Sequence, residues 1–292
     1  MPERQTARRV VKPAAAIVGA GSVGTALALA LHNAGYVIDE IISRERPASL
    51  RRARRLAAEV GASATPATRA QIRADVVWLC VPDGTIASAA ASLSNATDWH
   101  GKVALHASGA LTSDELAGLR RRGASVASVH PLMTFVPGSR PPLAGVPFAI
   151  EGDRKAAQAA RAMVLNLGGQ PFPIGKRHKQ LYHTWGMFVS PLLTALLAAS
   201  ERVAAAAGIR RRAAKQRALP ILKQTLTNYA ALGASHSFSG PIERGDVGTI
   251  EKHLRALDVI PEARNIYIAL ARAALRDLPA KNRAALEKIL KA

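Results

Sequence analysis

The chain has 292 residues, enough for two ordinary domains, and 49% of them are hydrophobic while aromatics make up 4%. Its one cysteine, Cys80, excludes an internal disulfide and a cysteine-based zinc site. The formal charge of +20 comes from arginine clusters such as RRARR (51–55), LRRRG (119–123) and IRRRAAKQR (209–217). They sit in Ala/Leu-rich helical patterns without aromatics for base stacking, so a solvated helix surface is expected and nucleic acid is not.

The first twelve residues are polar and basic and lack the apolar centre of a signal peptide, which predicts a short disordered lead-in over 1–12. From Ala14 the pattern is strand, glycine turn, helix: AAAIVGAGSVGTALALALHNAG. VIDEIIS reads as a second strand and ASLRRARRLAAEVG as a second helix, followed by the strand ADVVWLCVPD and the helix GTIASAAASLS. GKVALHASG is a further strand, TSDELAGLRRRG a helix capped by Thr112 or Ser113, and ASVASVHP and VPFAIEGD two more strands. Alternation at this spacing predicts an α/β domain, a doubly wound parallel sheet covered by helices, over 13–153. Residues 154–176 read as a connecting helix and short strand, QPFPIG, and 177–292 as an all-α domain. The longest uncharged run, 181–200, has membrane-spanning length. It holds Tyr182, His183, Trp185, Ser190 and Pro191, and a buried bundle helix of a soluble, cytoplasmic protein is the expectation.

GAGSVG fits the G-x-G-x-x-G pattern in the context that makes it informative, after the first strand and opening a helix. Gly19 would permit the tight turn, Gly21 the approach of a pyrophosphate, and Gly24 close helix–strand packing. Ser22 and Val23 begin the helix whose free N–H groups face the anion. NAD binders usually end the second strand with an acidic residue; here Ser43 and Arg44 stand there, a hydroxyl and a guanidinium suited to a 2′-phosphate. Arg46 would assist and Glu45 is the rival ribose ligand, so NADP is expected over NAD. Ligands of such sheets lie beyond the carboxyl ends of the strands. Three loops end there: VPDG (81–84), HASG (106–109) and HPLMTF (130–135). Val81, Pro82, His106, Ser108 and Gly109 are therefore candidate cofactor contacts, and Asp83 reads as a helix cap.

HASGAL, SVHPLMTF and SGPIERGDVGTIEKHL, together with the glycine motif, resemble the bacterial family described as a Rossmann-like domain followed by a DUF2520 domain. That family is similar to the wider group of 6-phosphogluconate, ketopantoate and pyrroline-5-carboxylate reductases. The resemblance implies a nicotinamide dinucleotide in the first domain and a helical second domain for substrate and dimer contacts. One departure stands out: the family pattern places an asparagine eight positions after the histidine of the first long helix, and here Pro191 follows His183 at that distance. Pro191 should also bend the helix.

Reduction of a carbonyl or imine needs a hydride donor, a proton donor and a group to hold the substrate. His130, Lys179 and His183 are the catalytic candidates, Lys179 and His183 being four apart on one helix face. Ser108, Arg244 and Asp246 are the substrate-binding candidates, although Asp246 with Thr249 three residues later also fits a helix cap. No H-x3-H or carboxylate-rich spacing supports a metal. With the resemblance, these residues imply an NADP-dependent oxidoreductase acting on a small, carboxylate-bearing carbonyl or imine as a homodimer. A non-catalytic NADP-binding sensor is the alternative.

Overall fold

The structure, a computed structural model, describes residues 12–291, so the expected lead-in falls outside the described residues except for Lys12. The chain divides into two compact units, Met1–Met187 and Phe188–Ala292.

The first unit is built on an eight-stranded sheet in the order β3-β2-β1-β4-β5-β6-β7-β8. Its strands are β1 (Ala15–Val18), β2 (Ile38–Ser43), β3 (Ser63–Pro66), β4 (Val76–Leu79), β5 (Val103–His106), β6 (Ser125–Pro131), β7 (Pro147–Gly152) and β8 (Gln170–Pro173). Six of the seven pairings are parallel, while β7 runs antiparallel to β6. Strands β1, β4 and β5 are buried along their whole length, as expected for a sheet with helices on both faces. The two-residue alternation divides each strand between two cores. Ile17, Trp78 and Leu105 pack under α1 (Ser22–Asn33), α2 (Pro47–Val60) and α5 (Arg154–Asn166). Val18, Val77 and Ala104 pack under α3 (Ile86–Ser92) and α4 (Ala117–Arg120).

Three features depart from expectation. Strand β3, Ser-Ala-Thr-Pro, carries no apolar run and was not anticipated; it pairs with β2 at the sheet edge, where half-exposed side chains are tolerated. The antiparallel β7 breaks the all-parallel pattern because β6 and β7 are joined by an irregular loop rather than a crossover helix. The segment expected to connect two domains belongs to the sheet unit, since β8 adds to β7 and α5 packs into the first core.

Helix α6 (Lys179–Val189) closes the first unit, and the second holds α7 (Pro191–Ala206), α8 (Arg211–Ser237), α9 (Pro241–Arg244), α10 (Val247–Ala256), α11 (Pro261–Asp277) and α12 (Arg283–Lys291). The expected continuous helix 177–207 is broken: Ser190 adopts φ −132° and ψ −78°, and Pro191 begins α7. Proline is favoured there because the first helical N–H has no partner to lose. The stretch Lys176–Ala206 has the length and mean hydropathy, 1.3, of a membrane span. The break divides it into pieces of 11 and 16 residues, each shorter than the ~20 a span needs. Nor is it the buried bundle helix expected, for only Lys179, Tyr182 and Ala199 are buried in α6 and α7. Within the second unit a small core forms from Ile250 and Leu254 of α10, Ala271 and Leu275 of α11, and Leu286 and Leu290 of α12.

Candidate active site at the carboxyl edge of the sheet

The turn after β1 has the geometry its glycines imply. Gly19 sits at φ +102°, and a Cβ there would lie 2.5 Å from the Cys80 carbonyl oxygen. A Cβ on Gly24 would lie 1.9 Å from the Gly19 carbonyl oxygen, so α1 can approach the turn only through glycine. Over Gly21 there is open space within 4 Å, and α1 starts there without a side-chain cap. Its first N–H groups are thus available to an anion, and the residues fit a dinucleotide pyrophosphate. A cleft of about 410 Å³ adjoins the turn, lined among others by Gly21, Ser43, Arg44, Val81 and Pro82. Arg52 of α2 lines it too, and also a neighbouring cleft beside Ser22; the sequence reading missed it. Val23 lines neither and packs against the first core. Arg44 has no acidic partner among the described residues, whereas Glu45 accepts the Thr68 hydroxyl at 3.3 Å.

The loop after β5 is held by its own polar groups. His106 is fully buried; its Nε2 donates to the Thr112 carbonyl at 2.9 Å and its Nδ1 accepts the Ser108 N–H at 3.2 Å. Burial pushes this imidazole down to about 4, so it is neutral, and both nitrogens are occupied within the loop. This corrects its expected place as a cofactor contact: a ring with no exposed surface cannot wall a ligand. The Ser108 hydroxyl donates to Asp83 at 2.8 Å and accepts the Leu111 N–H at 3.0 Å. Asp83 does not cap α3, whose N-terminus has no side-chain cap; it ties the loop after β4 to the loop after β5.

At the end of β6 the arrangement differs. His130 Nδ1 meets the Tyr182 hydroxyl of α6 at 2.8 Å, and its Nε2 has no partner among the described residues. The rings of His130 and His183 stand edge to face with centroids 6.2 Å apart. A Cβ on Gly109 would fall 2.8 Å from His183 Cδ2 and 2.9 Å from His130 Nε2, so glycine is what lets the β5 loop lie against both imidazoles. Burial, with the Lys179 and His183 charges adding to it, pushes His130 down to about 4. Behind this wall Lys179 is completely buried, and its ammonium donates to the Ser108 carbonyl at 3.1 Å and to the Ser128 hydroxyl. Burial lowers its pKa to about 8 against the pull of Glu151 and Asp83. Ser128 also donates to the Ser108 carbonyl, at 3.0 Å. Lys179 is therefore neither a solvated surface lysine nor, in this conformation, a group open to a ligand; it clamps α6, β6 and the β5 loop together. Ser128 and Tyr182 escaped the sequence reading. Ser128 was findable, lying two residues before His130 on one strand face, whereas Tyr182 carried no signal for a bond to a strand fifty residues earlier.

Residues 1–131 match the model of a Rossmann-like domain, and residues 146–274 match that of a domain of unknown function, DUF2520. The chain thus carries a Rossmann-like domain followed by a DUF2520 domain. In that frame His130 lies in the Rossmann-like segment and Lys179, Tyr182 and His183 in the DUF2520 segment. Similar folds occur in a Bacteroides fragilis protein provisionally described as an NADP oxidoreductase (22% identity, 90% of this chain and 97% of that one, TM-score 0.74) and in a Thermotoga maritima protein (24%, 94% and 99%, 0.71). An imine reductase from Myxococcus stipitatus in complex with NADP+ is also similar (18%, 96% and 94%, 0.61). At these identities the likeness is one of fold. No curated protein matches the sequence.

The remaining DUF2520 candidates, Arg244 and Asp246, belong to the second unit and are exposed. Asp246 caps α10, accepting the Thr249 N–H at 3.0 Å and the Thr249 hydroxyl at 2.7 Å. Both its carboxylate oxygens are thereby engaged within the chain, which favours the capping role over the substrate-binding one. Arg244 ends α9 and makes no ion pair among the described residues.

Proposed function

We propose that this protein is an NADP-dependent oxidoreductase that reduces a small carbonyl or imine. The observation that carries the reading is the continuity of one sheet edge. The open glycine turn leads past Arg44 and Val81 to Asp83, which is bonded to Ser108, and Ser108 adjoins the Gly109–His130–His183 wall. The structural neighbours provisionally described as an NADP oxidoreductase, or seen with NADP+, support the choice of cofactor.

Bound cofactor would supply the hydride. Arg44 and Ser43 would take its 2′-phosphate, where a planar guanidinium with no competing carboxylate gives charge-assisted hydrogen bonds. The Gly21 turn and the first N–H groups of α1 would hold the pyrophosphate. On the substrate side, His130 Nε2 would hold the oxygen or nitrogen that becomes basic on reduction, and His183 would deliver the proton. Lys179 acts from behind, fixing the β5 loop against β6. The helical unit would also pair with a second copy: of the 27 residues of α8 only Ala214 is buried, and Ile221, Leu226, Tyr229 and Leu232 stand exposed. An apolar surface of that kind marks a partner site.

Titration with NADPH and NADH, followed by turnover on ketopantoate, pyrroline-5-carboxylate and simple cyclic imines, tests the proposal. NADPH should bind tighter and be oxidised with at least one of these compounds. Binding without turnover would favour a dinucleotide-sensing role, and absence of binding would end the reading.

A further inference from the structure

Within the proposed site one residue has no assigned task. Tyr182 is buried on α6, flanked by Phe172 of β8 at 6.0 Å and Trp185 at 6.1 Å between ring centroids, and its hydroxyl makes a single hydrogen bond, to His130 Nδ1. The ring planes of His130 and Tyr182 stand at 85°, so the bond joins two side chains that already pack edge to face. We infer that Tyr182 is the positioning residue of His130, donating its O–H to Nδ1 and so holding the imidazole in the tautomer whose Nε2–H faces Gly109 and His183. This rests on the reading of His130 as a substrate-facing group.

Counting donors and acceptors decides the direction of the bond. A neutral imidazole has one N–H and one bare nitrogen, and a phenol has one O–H. Were His130 to donate from Nδ1, the Tyr182 proton would have no acceptor among the described residues, in a pocket walled by aromatic rings. A buried donor left unmatched costs about 1–3 kcal/mol. With Tyr182 donating, both groups at the contact are matched, and the one proton left over is on Nε2, an atom that keeps exposed surface on the ring edge that approaches Gly109 and so escapes that cost. The local electrostatics agree. Burial pushes the Tyr182 phenol up to about 12, so it keeps its proton, and His130 stays neutral with Lys179 and His183 both set against a second positive charge.

This separates the two histidines. A neutral Nε2–H is a hydrogen-bond donor and a very weak acid, so His130 orients and polarises the substrate while the proton comes from His183. The sequence alone treats them as equivalent. His106 carries the same Nε2–H tautomer, fixed by backbone groups, but directs it into its own loop; His130 has a side-chain partner that leaves Nε2 outward.

Nitrogen-15 spectra of histidine-labelled protein, with the His130 signals identified by His130→Gln, read the tautomer directly and need neither cofactor nor substrate. The expected result is Nδ1 bare and Nε2 protonated in the wild type, with that preference lost in Tyr182→Phe. In turnover, Tyr182→Phe should lower kcat about tenfold and leave KM within about twofold. A protonated Nδ1 in the wild type, or a His130 spectrum unchanged by Tyr182→Phe, would overturn the assignment. If the tautomer is as expected while the protein neither binds NADPH nor turns over substrate, the functional reading fails and the Tyr182–His130 geometry stands.

Discussion

His106 and His130 end neighbouring strands of one sheet, each after an apolar run, yet they do opposite things. His106 has no exposed surface, and backbone groups of its own loop take both its nitrogens. His130 keeps one nitrogen on Tyr182 and leaves the other free beside Gly109 and His183. Burial makes both rings poor bases, each pushed down to about 4. What separates them is therefore where the remaining polar atom points. A strand-end histidine whose loop turns back to meet it serves the fold, whereas one whose partner comes from another element and leaves one face open is a candidate for a site.

The sharpest way to break this comparison is to remove each ring in turn. His130→Ala should lower turnover about 100-fold or more, within the range for loss of a positioned polar group, and cost about 1–3 kcal/mol of stability because the buried Tyr182 hydroxyl loses its acceptor. His106→Ala should cost about 2–3 kcal/mol of stability through two lost hydrogen bonds and a cavity, and affect turnover only as far as the loop loosens. Thermal unfolding and steady-state kinetics on the two variants decide; equal behaviour would dissolve the distinction. Acid should act on both rings alike, since burial pushes each down to about 4. The folded-state pKa of His106 lies below its ordinary value of 6.5, so the unfolded chain binds the extra proton first, and stability is lost as pH falls from 6.5 toward about 4. That part of the acid sensitivity should disappear in His106→Ala.

Lys179 extends the comparison to a residue expected as a proton donor and found buried behind the His130–His183 wall. Lys179→Ala removes one of the two donors to the Ser108 carbonyl and the donor to the Ser128 hydroxyl, and opens a cavity in the wall, which should cost about 3 kcal/mol. Its depressed pKa carries a distinct signature. Between about 8 and 10.5 the folded lysine is neutral while the unfolded one is still charged, so the contribution of Lys179 to stability should rise with pH across that window, against the fall that the buried Cys80 thiol, pushed up from 9.0 to about 12, adds above 9. In Lys179→Met the rise should be absent. Denaturant midpoints of both proteins at pH 7.5, 9 and 10 measure it, and parallel profiles for wild type and Lys179→Met would return Lys179 to the solvated side of the molecule.

How much of this was legible follows from where the information lies. The glycine turn and the strands β1, β2, β4, β5 and β6 are local patterns, and they read correctly because spacing alone dictates them. Strand β3 was invisible because an edge strand needs no apolar run, and the reversal at β7 because direction depends on the connection rather than on the strand. Lys179 meets Ser108 and Ser128, and Tyr182 meets His130, through contacts that join residues fifty or more apart, for which a single sequence carries no period. Pro191 was read as a bend and is a helix start, since Ser190 leaves the helical region before it. The exposed faces of α6 and α8 were legible as apolar but not as uncovered, because composition does not say what will pack on a surface.

At the other end of the sheet edge the comparison becomes one between Arg44 and its neighbour Glu45. Glu45 already holds Thr68, whereas Arg44 has no partner within the described chain. Arg44→Ala should weaken NADPH binding by roughly 10- to 100-fold, the worth of one or two charge-assisted hydrogen bonds, and leave NADH binding nearly unchanged. Titration of both dinucleotides against both proteins supplies the four constants. An equal loss for NADH would move Arg44 from the 2′-phosphate to the pyrophosphate.

The smallest effect probes the same division in the second unit, where Asp246 was expected both as a substrate ligand and as a cap. Its two oxygens hold the Thr249 N–H and hydroxyl, and those contacts together with the nearby Arg244 and Lys252 charges keep its pKa below the usual carboxylate value. A capping carboxylate exchanged for alanine costs about 1 kcal/mol. Asn, which can still accept the N–H, should recover most of that loss. Asp246→Ala should therefore lower the denaturant midpoint slightly, Asp246→Asn should restore it, and KM should stay constant in both. A substrate ligand would give the reverse pattern, because the amide keeps the cap but loses the charge: KM would rise in Asp246→Asn while stability held. The pair of variants thus separates a carboxylate that begins a helix from one that meets a ligand, the same distinction that divides His106 from His130.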